Sequence, residues 1–237
     1  MRADFAITDD NHGCEADEAS RGDDSVAARL RGFGPLGLLA IVVIFAAQIL
    51  APLGAVLVLV WARMSHTPWR KIGYVRPQSW VVSTTVGLIV GAFFKVIMKA
   101  LVMPLLGADP INHSYHFLVG NRTAALAFIP VIIIKAGFGE ETFFRGYLFE
   151  RLGKLLGEST AAKVITVLLT STLFGLLHYD QGLSGMEQAL IMGTVFGTIF
   201  AMTRELWMLM CLHTAFDLTA IGTIYWQLES RLAHLVF

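Results

Sequence analysis

Met186 to Tyr225 reads MEQALIMGTVFGTIFAMTRELWMLMCLHTAFDLTAIGTIY. It holds two apolar runs, about Met186 to Met202 and Leu206 to Tyr225, joined only by Thr203, Arg204 and Glu205. Each approaches the roughly 20 residues that a helix needs to cross a ~30 Å hydrocarbon layer. So short a link makes the two runs an antiparallel pair.

Moving outward, the same kind of run recurs at Ala161 to His178, Ala124 to Phe138, about Trp80 to Leu106, and Leu36 to Trp61, the last with Pro52 as an expected kink. The 237 residues are 55% hydrophobic and 15% charged, with a mean hydropathy of +0.64, far from the balance of a soluble domain. The fold expected is all-α, a polytopic transmembrane bundle of about six to eight helices, multi-pass in a cell membrane with the lipid bilayer as its partner. Residues 33–106 form its N-terminal transmembrane helices and residues 122–225 its core. A formal net charge of zero gives no reason to expect nucleic acid. Cys14 and Cys211 indicate neither a disulfide framework nor a cysteine metal site, and no residue pattern assigns an oligomeric state.

Residues 1–32 carry eight of the eighteen acidic residues and no apolar run, which reads as a disordered acidic tail. Without a basic start leading into an apolar stretch, the tail is expected to be retained. Basic residues cluster at Arg63, Arg70, Lys71 and Arg76, again at Arg151, Lys154 and Lys163, and at Arg204. With six spans, the positive-inside rule puts the connectors 62–79, 150–163 and 203–205 in the cytoplasm and both termini outside.

Ionisable groups inside apolar helices need partners or a purpose. Glu141 and Arg145 have the i, i+4 spacing of an ion pair, which leaves Glu140 without a local partner. His178 ends the fourth run one turn after Phe174. His213 and Asp217 share a face of the sixth, where Asp217 could hold the imidazole in a chosen state. Each piece alone has an ordinary structural reading, as an ion pair or a helix-to-helix hydrogen bond. Together they amount to more buried chemistry than packing requires. Lys95 and Lys99, one turn apart in the second run, read as residues facing protein or snorkelling to an interface, and Lys135 has a similar structural reading.

The sequence of motifs, Glu-Glu-x-x-x-Arg at 140–145, Phe-x-x-x-His at 174–178 and His-x-x-x-Asp at 213–217, resembles that of the CPBP intramembrane proteases. That family includes type II CAAX prenyl endopeptidases and bacteriocin-processing or immunity proteins. The resemblance implies an endopeptidase acting on a membrane-embedded or lipidated protein or peptide. Glu140 and His178 would activate water, His213 and Asp217 would assist the oxyanion, and Glu141 and Arg145 would fix the helix. Asp217 stands where the family more commonly has Asn, and a carboxylate donates no hydrogen bond unless protonated. No cofactor is required on this reading. The alternative is a divalent metal such as zinc, although the compact His-Glu-x-x-His arrangement is absent. A non-catalytic immunity or scaffold protein of the same fold, or an ion-coupled transporter, are the rival classes.

Depth sets a condition on the shared site. His213 lies nine residues from Arg204, roughly 13 Å, and His178 fifteen residues from Lys163, roughly 22 Å. The fourth helix must tilt or begin outside the lipid for both to reach one place.

Overall fold

The computed structural model describes residues 23–236, and within them every regular element is helical. Most of the acidic tail, residues 1–22, lies outside the described residues. Its expected end does not follow the sequence reading, because Asp23–Arg31 is a helix, α1. Asp23 and Asp24 at its start and Arg29 and Arg31 at its end complement the helix dipole. Ala27 and Leu30 supply a buried face.

Read as sequence, Leu36 to Trp61 is a single kinked span; in the structure it is a helical hairpin. Helix α2, Pro35–Ala47, leads through a turn at Gln48–Leu50 into α3, Ala51–Met64. Leu50 leaves helical geometry at φ −106° and ψ 76°, two residues before Pro52, whose ring and missing N–H prevent an uninterrupted helix. The limbs have 13 and 14 residues, so each reaches only about 20 Å, short of the hydrocarbon thickness. Their feet meet. Trp61 Nε1 donates to the Leu30 carbonyl at 3.1 Å, and Arg31 Nη1 donates to the Ser65 carbonyl at 2.6 Å. Arg151 and Lys154 donate to the Arg31 carbonyl, both at 2.8 Å, and so satisfy the end of α1.

The remaining long helices are α4, Trp80–Leu105, and α5, Arg122–Leu156, then α6, Thr160–Leu176, α7, Gly182–Thr203, and α8, Leu206–Tyr225. Four apolar helices, α4, α5, α8 and the one ending in α7, are long enough to cross a membrane. At 17 residues, α6 runs about 25 Å. Close approach of α4 to α8 depends on glycine. A Cβ on Gly87 would lie 2.6 Å from the Met208 carbonyl oxygen, and one on Gly91 would collide with that of Leu212. In lipid, where burial itself supplies little drive between helices, such small-residue rows let backbones pack.

The connectors sort onto two faces. Lys71 reaches Glu158 at 3.1 Å, and the Leu206 amide donates to the Gly73 carbonyl at 3.0 Å. On the opposite face Ser114 donates to the Asp180 carbonyl at 3.4 Å, and the Gly120 amide to that of Tyr225 at 3.1 Å. Because the hairpin returns to its starting level, α1 lies on the same face as residues 65–73. The expectation that both termini share the side opposite these connectors is therefore corrected. The first face holds Arg29, Arg31, Arg63, Arg70, Lys71, Arg76, Arg151, Lys154, Lys163 and Arg204, against Arg122 and Arg231 on the other.

A short terminal helix, α9, Glu229–Ala233, returns against α4 through Lys99 and Glu229, 3.1 Å apart and buried. The aromatic core lies among α5, α6, α7 and α8, with Phe143, Phe174, Phe196, Phe200 and Phe216 fully buried.

Candidate active site

Helix α5 widens into π-helical turns over Ile132–Glu140 and Thr142–Leu148. Pro130 lies just upstream, and Gly137 and Gly139 weaken the regular helix. Such widened turns recur at functional sites. Gly137 also permits contact with α8: a Cβ there would collide with Thr214 Oγ1. Both Glu140 and Glu141 are consequently turned inward and buried.

Glu141 is the hub. Its Oε1 accepts from Arg145 Nη1 at 2.8 Å and faces His213 Nδ1 at 2.6 Å. Arg145, 2% exposed, lies over the rings of Phe174 and Phe196 at 5.0 and 5.3 Å, and its Nη2 donates to the Gly193 carbonyl at 3.4 Å. With its charge matched by a guanidinium, the Glu141 carboxylate accepts the Nδ1 proton of His213. The imidazole Nε2 is thus directed towards Asp217 Oδ2 at 3.6 Å and Glu140 Oε2 at 3.9 Å. Since Nδ1–H is committed to Glu141, Nε2 donates only in the imidazolium form. The sequence reading gave the orienting role to Asp217; the short hydrogen bond instead comes from Glu141, 72 positions away.

His178 lies just beyond the end of α6, and its Nδ1 donates to the Phe174 carbonyl at 2.7 Å. The ring folds back along the helix and rests 4.5 Å from that of Phe174, which is itself 6.1 Å from the ring of His213. This resolves the depth condition: the side chain returns by about a turn and Phe174 bridges the two histidines.

Glu140, His178, His213 and Asp217 line one cavity, with room of about 140 Å³ for water-sized molecules, enough for several waters. Lys95 and Lys135, which read in sequence as structural, also line it, as do Tyr115 and Gln188, which the sequence did not single out. Lys135 Nζ is 3.9 Å from Glu140 Oε1. Tyr115 Oη accepts from Gln181 at 3.3 Å, and burial pushes the Tyr115 phenol up to about 12, so it stays neutral over the ordinary pH range. Only the tertiary structure brings these residues, from separate elements, to the cavity.

Glu141 is engaged by both Arg145 and His213, and among the described residues no group of three or more His, Cys, Asp or Glu side chains is arranged to hold a metal ion.

Residues 122–219 match the family model described as type II CAAX prenyl endopeptidase Rce1-like. The matched segment runs from the start of α5 into α8 and contains all six residues of the site. Over these residues, which are less than half of the chain, the sequence is similar to that family. Among curated proteins and solved structures, none matches the chain. The likeness is thus to an intramembrane endopeptidase, and it falls on a chain with four helices long and apolar enough to cross a membrane.

Proposed function

We propose that this protein hydrolyses a peptide bond of a membrane-associated protein or peptide, with Glu140 and His178 activating the attacking water. The observation that carries this reading is the shared cavity of Glu140, His178 and His213, with the His213 ring held by Glu141. Glu140 takes a proton from water as the oxygen adds to the scissile carbonyl carbon. His178, whose Nδ1 proton is committed to Phe174, presents Nε2 to the same water. The imidazolium of His213 donates from Nε2 to the oxyanion of the tetrahedral intermediate. Collapse breaks the C–N bond, and the proton held by Glu140 passes to the leaving amine. One water is consumed, and one carboxyl group and one amine are formed.

Glu141 and Arg145 are positioning residues in this scheme. Asp217 orients the imidazolium or the bound water and, as a carboxylate, does not donate to the oxyanion. No metal takes part. The family match supports a substrate of the CAAX prenylated kind in general, and the cell membrane is the proposed location.

The test is cleavage of a membrane-peptide library by the purified, detergent-solubilised protein, comparing wild type with Glu140→Ala and His178→Ala, each with and without a strong chelator. Loss in both variants with no chelator effect is expected. Chelator-sensitive cleavage would replace the proposed mechanism with a metal-dependent one, and equal background in all samples would overturn the protease reading.

A further inference from the structure

The basic face has a cavity of its own, apart from the one that holds Glu140. With room of about 480 Å³, it lies where α5 and α7 end and α6 begins. Arg31 of α1, Lys71 of the connector after α3, Lys154 of α5, Lys163 of α6 and Arg204 of the α7–α8 turn all line it. Five elements distant in sequence thus bring one cation each to a single concavity.

Two carboxylates, Glu150 and Glu158, face them. The Lys71 hydrogen bond at 3.1 Å holds the Glu158 carboxyl below its usual value, and Arg204 and Lys163 act on it in the same direction. Glu150 is shared in turn among Arg151, Lys154 and Lys71. Each carboxylate therefore serves three cations. Arg31 and Lys154 donate to neutral carbonyls, those of Ser65 and Arg31, which match no charge. Five basic against two acidic lining residues leave the cavity strongly positive, and a concave wall focuses that potential more than an open surface does.

The wall is also partly apolar. Phe149, Ala201 and Met202 line it, and Met202 is 80% exposed. Helix ends at Leu156, Thr160 and Thr203 set the cavity where apolar helices leave the hydrocarbon layer, the level at which lipid headgroups begin. Cation excess, apolar edge and depth together match a ligand that joins a phosphate to acyl chains, and basic pockets between membrane helices take up such headgroups.

We propose that this cavity binds the phosphate of an anionic phospholipid, with Lys163 and Arg204 donating to its oxygens and Phe149 and Met202 against the start of the acyl chains. The bound lipid clasps the ends of α1, α5, α6 and α7. This site does not depend on the endopeptidase reading. Phosphatidylcholine would bring its own ammonium into a basic cavity and is disfavoured. Free phosphate offers the same charged group without the chains, and the test separates the two sources.

The experiment reads thermal unfolding of the full-length protein in neutral detergent micelles doped with phosphatidylglycerol or phosphatidylcholine, or supplemented with inorganic phosphate. Phosphatidylglycerol at about ten times its dissociation constant should raise the melting temperature by roughly 3–5 °C, and the other two should leave it in place. Lys163→Gln combined with Arg204→Asn should remove the shift; asparagine tolerates the left-handed backbone at 204, φ 56°. Lys163→Arg should keep it, as should Arg122→Gln on the opposite face. If the double variant does not fold, a reduced shift in Lys163→Gln alone carries the test. A shift that persists in the charge-removing variants, or that Arg122→Gln removes equally, overturns the assignment to this cavity. Equal stabilisation by phosphatidylcholine, or none by phosphatidylglycerol, overturns the preference for an anionic headgroup. An equal shift from inorganic phosphate overturns the lipid in favour of a free anion.

Discussion

Glu141 Oε1 lies 2.6 Å from His213 Nδ1 and 2.8 Å from Arg145 Nη1, so one buried oxygen joins the guanidinium to the imidazole. Removing it leaves both groups buried without their acceptor. Glu141→Ala should lower stability by about 3–5 kcal/mol, the range for breaking a buried ion pair, and should abolish cleavage as well. Thermal unfolding in detergent checks the first part. A variant that melts with wild type would show that Glu141 does not hold the site together.

Glu140 has only loose ionic neighbours, Lys135 Nζ and His213 Nε2, each at 3.9 Å. Glu140→Gln preserves its shape and removes the base. Cleavage should fall by about 10²–10⁴-fold, the usual contribution of a positioned general base, with the melting temperature close to that of wild type. Parallel loss of stability and activity would make Glu140 structural.

Asp217 stands 3.6 Å from His213 Nε2. Asp217→Asn supplies an N–H donor near the proposed oxyanion and should retain or raise kcat. Asp217→Ala, with neither donor nor acceptor, should lower kcat by about tenfold or more. The comparison is made at saturating substrate, and a kcat in Asp217→Ala equal to that of wild type would remove this residue from the mechanism.

Gly91 faces the Leu212 carbonyl one residue before His213. Gly91→Val forces α4 away from α8, at a cost of about 1–3 kcal/mol for overpacking, and should disturb the cavity as well. Reduced melting temperature together with reduced cleavage is expected; an unaffected protein would mean that α4 contributes little to the site.

Orientation follows from the charge asymmetry of the two faces. The face with Arg63, Arg70, Lys71 and Arg76 should be cytoplasmic, leaving residues 106–121 and 177–181, beside His178, on the other side. Cysteines introduced at Ser114 and Glu158 test this with a membrane-impermeant thiol reagent in intact cells. Labelling at 114 and protection at 158 are expected, and the reverse pattern would invert the assignment.

The all-helical membrane character was legible from the apolar runs, because a chain in lipid must satisfy its backbone within each segment. The six candidate residues were legible as ionisable groups set where an apolar helix would otherwise exclude them. Gly87 and Gly91 also carried a packing signal in their four-residue spacing. Nothing in Leu36 to Trp61 distinguishes a kinked span from a hairpin, for both bury the same apolar surface in lipid. The choice shows only where Leu30 meets Trp61 and Arg31 meets Ser65.

The sequence by itself therefore determined the solvent, the helical class and the residue types available for chemistry. These depend on local hydrophobicity and helical spacing. Tertiary structure alone decided which face α1 occupies, that Glu141 rather than Asp217 makes the short bond to His213, and that Lys95 shares the cavity with Glu140. Each depends on contacts between helices far apart in the chain, and a one-dimensional pattern carries no record of which buried faces meet.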